Sequence, residues 1–186
     1  RRYWPDTEPG EEMANIVWAG SRSTTAQLNT YTVTAVALSG TLKLTVGGRK
    51  SVTYTCTGAD TVTTAATALY NLLVAAKLLE GEWAELTLAN PSAGVITLTG
   101  PTDGAPVTLA KTDAGGATST LATTTAATSP YDVGDATNWV GGVLPGNTDT
   151  AVFENSAVDA KYNLAALTAV TCGLVRRDSF TGRIGL

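Results

Sequence analysis

Of the side chains that most often do chemistry, one is missing altogether: the 186 residues contain no His. Without imidazole, Ser-His-Asp and Cys-His relays lose their general base, and most zinc sites lose a ligand. No GxSxG or Lys-Ser pairing offers a substitute nucleophile. The best acid–base candidates are Glu80, Glu82 and Glu85 around Trp83, because paired carboxylates beside an aromatic ring suit a glycosidic bond. Glu80 and Glu82, however, flank Gly81 at the end of a helical pattern, where charges simply stay in water. Two carboxyls opposed across a substrate do not follow from that spacing. A calcium loop needs close acidic oxygens in a D-x-D-x-D-G array, and DVGDATN and GNTDT supply only the scattered Asp132, Asp135 and Asp149. Cys56 and Cys172 have no metal or redox spacing; they read as small apolar core residues, with a disulfide between them left open. The expectation is a protein that is not an enzyme and uses no cofactor and no metal.

The glycines of NWVGGVLPGNTDTAVF (138–153) raise the remaining possibility, a ligand-cradling loop. A phosphate loop runs from a strand into a helix, with a Lys or the helix N-terminus facing the anion. Here Val143-Leu144-Pro145 follows the glycines, no helical pattern succeeds them and no Lys is near. The stretch therefore reads as turns. Gly141, Gly142 and Gly146 make the bends, Pro145 fixes one of them, Asp149 ties a turn through its side chain, and Trp139 packs over the next layer.

The elements that would position these residues are mostly strands. YTVTAVAL alternates from Tyr31, and TLKLTV puts Leu42, Leu44 and Val46 on one face. Gly47-Gly48 then turns the chain into a return strand bearing Val52, Tyr54 and Cys56. Asp60 is placed to cap a helix whose apolar stripe is Val62, Ala65, Ala66, Leu69, Leu72, Leu73, Ala76 and Leu79, with Gly81 as its stop. On this periodicity Leu72-Leu73 and Leu78-Leu79 are core. WAELTLA, VITLTG and PVTLAKT follow as antiparallel strands, and GGATSTLATTTAATSP is a last strand fading into a linker. Farther on, TAVF is a short strand, YNLAALTAVTCGLVRR a strand pair or ladder rung, and FTGRIGL the beginning of another strand.

The fold expected is thus mainly β (α+β): a small antiparallel-sheet domain with one packed helix, then a short β-sandwich or β-solenoid-like segment. Residues 1–30 form an extended N-terminal arm and first strand, 31–126 a ββ-α-βββ domain, and 127–186 the β-rich C-terminal segment. Met13 opens MANIVWAG like a natural start, so the twelve residues before it are either an extended reading frame or an interaction arm. Trp4 and Trp18 are its candidate anchors.

Composition narrows the role. Hydrophobic residues make up 44% and charged residues only 15%, against about 25% charged in typical domains. Net charge is −4 and no Lys/Arg stripe is present, so no nucleic-acid partner is expected. No apolar run reaches the ~18–20 residues of a membrane span, and none of the first twelve residues forms an apolar signal core.

N-W-x-G-G-x-x-P-x-x-x-D-T-A-x-F resembles a motif that introduces β-solenoid-like stretches in large bacterial surface proteins and in phage or prophage structural proteins. SFTGRIGL is similar to the element that follows it in phage-like members. The upstream order of hairpin, Ala-rich helix, ITLTG and G-x-P-V-T-L resembles a small domain of phage tail- and fibre-type proteins. The resemblance spans about residues 31–186 and implies scaffolding and attachment, with the C-terminal segment as the opening of a longer β-solenoid. It carries over no catalytic residue. It implies a virion structural protein of tail, fibre or capsid-decoration type, self-assembling into a homo-oligomer with other virion proteins as partners. The alternatives are a bacterial surface adhesin or filament subunit, extracellular or on the cell surface, and a carbohydrate-binding module. In the last, Trp4, Trp18, Trp83 and Trp139 would stack on a cell-surface glycan.

Overall fold

The computed structural model describes residues 14–168 and 173–185, so Trp4, most of the expected arm and Cys172 lie outside the described residues. The chain is mainly β, with ten strands in three sheets among the described residues. Among the described residues no helix is long and apolar enough to cross a membrane. Two compact units divide it: Thr24–Ser129, and a flanking unit drawn from Arg1–Ser23 together with Pro130–Leu186. The boundaries expected at 30/31 and 126/127 therefore move. Residues 24–30 and 127–129 join the central unit, and strand β1 (Asn15–Val17) joins the flanking one. The cause is pairing with a strand far along the chain, which no local pattern announces.

The Thr24–Ser129 unit holds β2 (Leu28–Ala35), β3 (Thr41–Val46), β4 (Lys50–Thr55), α1 (Val62–Lys77), α2 (Gly81–Ala84), β5 (Thr87–Ser92), β6 (Val95–Thr99), β7 (Leu109–Ala114) and β8 (Thr118–Thr125). Its strands pair antiparallel in two sheets, ordered β5-β6-β2-β8 and β4-β3-β7. Period-2 alternation buries Tyr31 and Val33 from β2 and Leu42, Leu44 and Val46 from β3. Helix α1 adds Ala65, Ala66, Leu69 and Leu73 to the same core. Each fully buried Leu contributes roughly 1.5–3 kcal/mol. The β3–β4 hairpin turns at Gly47 and Gly48, both at positive φ (59° and 68°) with open space around them. Backbone conformation, not crowding, requires glycine there. The ends of the unit meet: Thr25 N–H donates to the Thr128 carbonyl (2.8 Å) and Thr128 N–H to that of Thr25 (3.1 Å).

Several local expectations are corrected here. The N-cap of α1 is Thr61, not Asp60: Thr61 Oγ1 accepts from Thr64 N–H, and Thr61 N–H donates back to Thr64 Oγ1, a reciprocal capping box. Asp60 instead accepts from Thr57 N–H (2.6 Å) and the Tyr54 hydroxyl (2.8 Å), so it locks the β4–α1 turn. Gly81 does not stop α1, which ends at Lys77; it opens α2, and Trp83 sits in that helix, so the next strand begins only at Thr87. Likewise β7 begins at Leu109, later than PVTLAKT suggests. Of the leucine pairs read as core, only Leu73 is buried. Leu72 is 42% exposed, Leu78 84% and Leu79 86%.

The flanking unit is built differently. Strand β9 (Thr150–Phe153) pairs parallel with β1 on one side and with β10 (Gly173–Arg176) on the other. Asn15, Thr150 and Gly173 are in register, as are Ile16, Ala151 and Leu174. A second set of parallel bridges, Asp132–Tyr162 and Ala160–Ile184, runs through the same succession of chain segments. Parallel pairing in register on two lines is the arrangement of stacked β-coils, so the solenoid-like segment includes residues from both chain ends. Of YNLAALTAVTCGLVRR (162–177), expected as a strand pair or ladder rung, the described residues form a short helix α3 (Ala165–Thr168) and then β10, a rung on β9, and the described residues of FTGRIGL pair through the Ile184 bridge.

Candidate functional site

The 138–153 stretch occupies the centre of the flanking unit. Asp135 precedes a 3-10 turn (Ala136–Asn138), accepting from Thr137 N–H (3.0 Å) and hydroxyl (2.7 Å). That turn delivers Asn138 and Trp139 inward. Asn138 is fully buried, and its amide joins segments distant in sequence: Oδ1 accepts from Arg22 N–H (2.8 Å), and Nδ2 donates to the Asp132 carbonyl (2.8 Å). Its own carbonyl accepts from Ala19 and Gly20. Burying an amide is costly unless such bonds are made, so this network fixes where the N-terminal segment crosses the turn. Sequence reasoning missed Asn138; its place directly before Trp139 in the motif was the available signal.

Trp139 Nε1 donates to the Val133 carbonyl, and Trp18 Nε1 to that of Val158, both at 3.0 Å. The indoles meet edge-on with centroids 5.2 Å apart, Phe153 lies 5.6 Å from Trp139, and Phe180 lies 5.4 Å from Phe153. Edge-to-face contacts of this kind add about 0.5–1.5 kcal/mol per pair beyond burial. Trp18 is therefore a core residue, 1% exposed, and not an arm anchor. Trp83 and Trp139 are equally enclosed, so none of the three described tryptophans offers a face on which a sugar could stack.

Beyond Trp139, Gly141 and Gly142 take φ of 85° and 69° with open space around them. Asp149 closes the following turn, its carboxylate accepting from Gly146 N–H (2.7 Å) while its N–H returns to the Gly146 carbonyl. Pro145 is buried and directly precedes that bend, outside it. The turn displays Val140 and Val143 to solvent and delivers the chain into β9. Asp132, the third acid, accepts from Gly134 N–H and the Asn163 amide. Among the described residues no three His, Cys, Asp or Glu side chains converge as a metal site.

The other sequence candidates stay apart from this centre. Glu80 faces Lys50 at 3.7 Å, and Glu82 and Glu85 line a cleft of about 180 Å³ with Val46, Gly47, Pro106, Val107 and Thr108. Cys56 is buried with a free thiol, which burial pushes up in pKa.

What the flanking unit presents outward is β10, at one edge of its sheet. Leu174 stands in register with Ala151, which is fully buried in the core, yet Leu174 is 53% exposed; Val175, in register with buried Val152, is 41% exposed. Arg176 takes the register position of Phe153; its guanidinium lies 5.6 Å from the Phe180 ring and donates to the Phe180 carbonyl (3.2 Å). Arg176 and Arg183 border an open groove of about 430 Å³ with Gly182, Ile184 and Gly185. Arg183 donates through its backbone N–H and its guanidinium to Asp159, and these bonds hold that carboxyl down at about 2. An edge of this kind can add a strand. A scan against protein-family models finds no match to this chain, and a search of curated proteins finds none either.

Proposed function

We propose that this is a non-enzymatic virion structural protein, of phage tail, fibre or capsid-decoration type, that works by self-assembly and attachment. The observation that carries the reading is β10. An apolar position that is interior in the neighbouring strand is left half-exposed on an edge strand whose outer N–H and C=O groups can pair again. Stacked coils are stable when the next layer covers such positions, and open edges are where strands are added. The low charge content suits close repeated packing. A bacterial surface filament would use the same edge. The enclosed tryptophans weigh against the carbohydrate-binding reading, because stacking needs an accessible ring.

The test has two parts. Light scattering after size exclusion, at several concentrations, should give an assembly larger than one chain, and Leu174→Glu with Val175→Glu should reduce it while the thermal transition of Thr24–Ser129 stays in place. Antibody labelling should then place the protein on purified particles of a producing phage. Finding it on bacterial surfaces instead favours the filament, and a monomer at every concentration refutes self-assembly.

A further inference from the structure

On the second line of the coil stack the last run is 181–185, bridged to Ala160. Ala160 N–H donates to the Arg183 carbonyl (2.8 Å), and Gly185 N–H donates to that of Ala160 (2.9 Å). In a parallel bridge bonded this way, the N–H and C=O of Ile184 point away from Ala160, toward the open side. Thr181 N–H and Arg183 N–H are also used, on the Ser156 carbonyl and on Asp159. The N–H groups of Gly182 and Ile184 meet no acceptor among the described residues. A side chain at Gly182 would strike the Phe180 ring and the Val158 carbonyl, both at 2.7 Å, so crowding requires glycine there.

Arg176 joins this run in lining the open groove of about 430 Å³. Its guanidinium is steadied by the Phe180 ring and gives one N–H to the Phe180 carbonyl; among the described residues it pairs with no carboxylate. Arg183 and Lys161 share the single carboxylate of Asp159, at 3.0 and 3.3 Å. The groove therefore carries surplus positive charge in a chain whose net charge is −4, with guanidinium donors left over on both arginines.

We propose that this groove binds an acidic sugar, one bearing a carboxylate, and that Arg176 and Arg183 hold the carboxylate. A guanidinium fork matches the two oxygens of a carboxylate, and the unpaired N–H groups of Gly182 and Ile184 add donors from the same lining. Donors alone would suit any anion. What selects a sugar is the outward Ile184 carbonyl, an acceptor beside the apolar Ile184 side chain. A hydroxyl answers the first and the C–H face of a ring the second, whereas a bare carboxylate answers neither. The volume is that of a small-ligand site. No aromatic platform is needed, because charge and hydrogen bonds take the place of stacking. This inference rests on the attachment half of the function proposed above, and names the chemistry that is attached to.

The experiment follows amide shifts of the full chain as glucuronate is added, with glucose and acetate as separate probes. Glucuronate should give saturable shifts at Gly182, Ile184 and Gly185, and should bind about tenfold or more tighter than glucose or acetate. Arg176→Gln and Arg183→Gln should each weaken it by about tenfold or more. Arg177→Gln, whose native side chain pairs with Glu154 outside the groove, should bind as wild type. Arg183→Lys keeps the charge and loses the fork, so it should recover only part of the affinity. Unchanged thermal transitions show that the variants fold. The absence of saturable shifts, glucose or acetate binding as tightly as glucuronate, or wild-type affinity in both glutamine variants overturns the proposal. So does tighter binding of a glutamate tripeptide, which would make the partner a protein. If the site fails while Leu174→Glu with Val175→Glu still reduces a larger assembly, only the sugar is lost. A chain that is monomeric at every concentration loses the assembly reading, and the site is then judged by the shifts alone.

Discussion

The core of Thr24–Ser129 is aliphatic, made of Leu, Val, Ile and Ala around Tyr31 and Trp83, whereas the flanking unit is centred on four rings, Trp18, Trp139, Phe153 and Phe180. Their pairing differs in the same sense. Antiparallel hairpins in the first join segments close in sequence, while parallel strands in the second join Asn15–Val17 to Thr150–Phe153 across the whole intervening unit. The lesson is that a short coil stack with few strands reaches enough buried area through large rings. The richer antiparallel unit fills its space with small side chains. The insertion is compatible with both, since the Thr25–Thr128 pair closes one unit, and Gly20, at φ 59°, packs within the other against Val158 and the Pro130 carbonyl.

The sharpest way to break this comparison is to remove one core at a time. Trp139→Ala should cost the flanking unit about 3–5 kcal/mol, enough to unfold it, while amide exchange protection of Thr24–Ser129 persists. Leu69→Ala should do the reverse, at about 2–5 kcal/mol. Loss of protection in both units from either change would mean they unfold as one.

A smaller effect sharpens the account of α1. Thr61→Ala removes the capping-box acceptor and should lower the stability of Thr24–Ser129 by about 1 kcal/mol in urea titrations. Asp60→Asn weakens the turn held by Thr57 and Tyr54 and also the bond that the capping-box Thr64 hydroxyl donates to Asp60, so its effect should add to that of Thr61→Ala only in part.

The smallest effects are in pH. Burial pushes the Tyr31 and Tyr54 hydroxyls up to about 12, helped at Tyr54 by Asp60. Their pKa is higher folded than unfolded, so their contribution is intact below about pH 10 and is lost as the pH rises toward about 12. Ultraviolet titration should find both ionising late, coincident with loss of protection in Thr24–Ser129. Asp159 is opposite in sign. Its lowered carboxyl helps the flanking unit above about pH 4, and that help is lost as the pH falls toward about 2. Asp159→Asn should flatten the acid dependence of that unit, read by exchange at Arg183.

Local patterns carried much of this architecture. Alternation in TLKLTV and the Gly47-Gly48 turn announce the β3–β4 hairpin, and the helical stripe announces α1. The turn roles of Gly141, Gly142 and Asp149 follow from residue type, because positive φ and side-chain capping are local properties. Periodicity failed at Leu72, Leu78 and Leu79, since it reports which residues are apolar and not how far the covering sheet extends. Trp18 is misread for another reason: its segment lacks the strand that it pairs with until Thr150–Phe153 is reached, so it looks like an arm.

The sequence by itself determined the mainly β class, the position of α1 and the turns of 138–149, all of which depend on neighbours within a few residues. Only the tertiary structure decided that Trp18 meets Trp139 and Arg22 meets Asn138 across an inserted unit, that β1, β9 and β10 share one parallel register, and that α1 and β10 keep apolar faces uncovered. Those are contacts between segments far apart in the chain, and their formation depends on which surfaces find each other during packing, which no local pattern encodes.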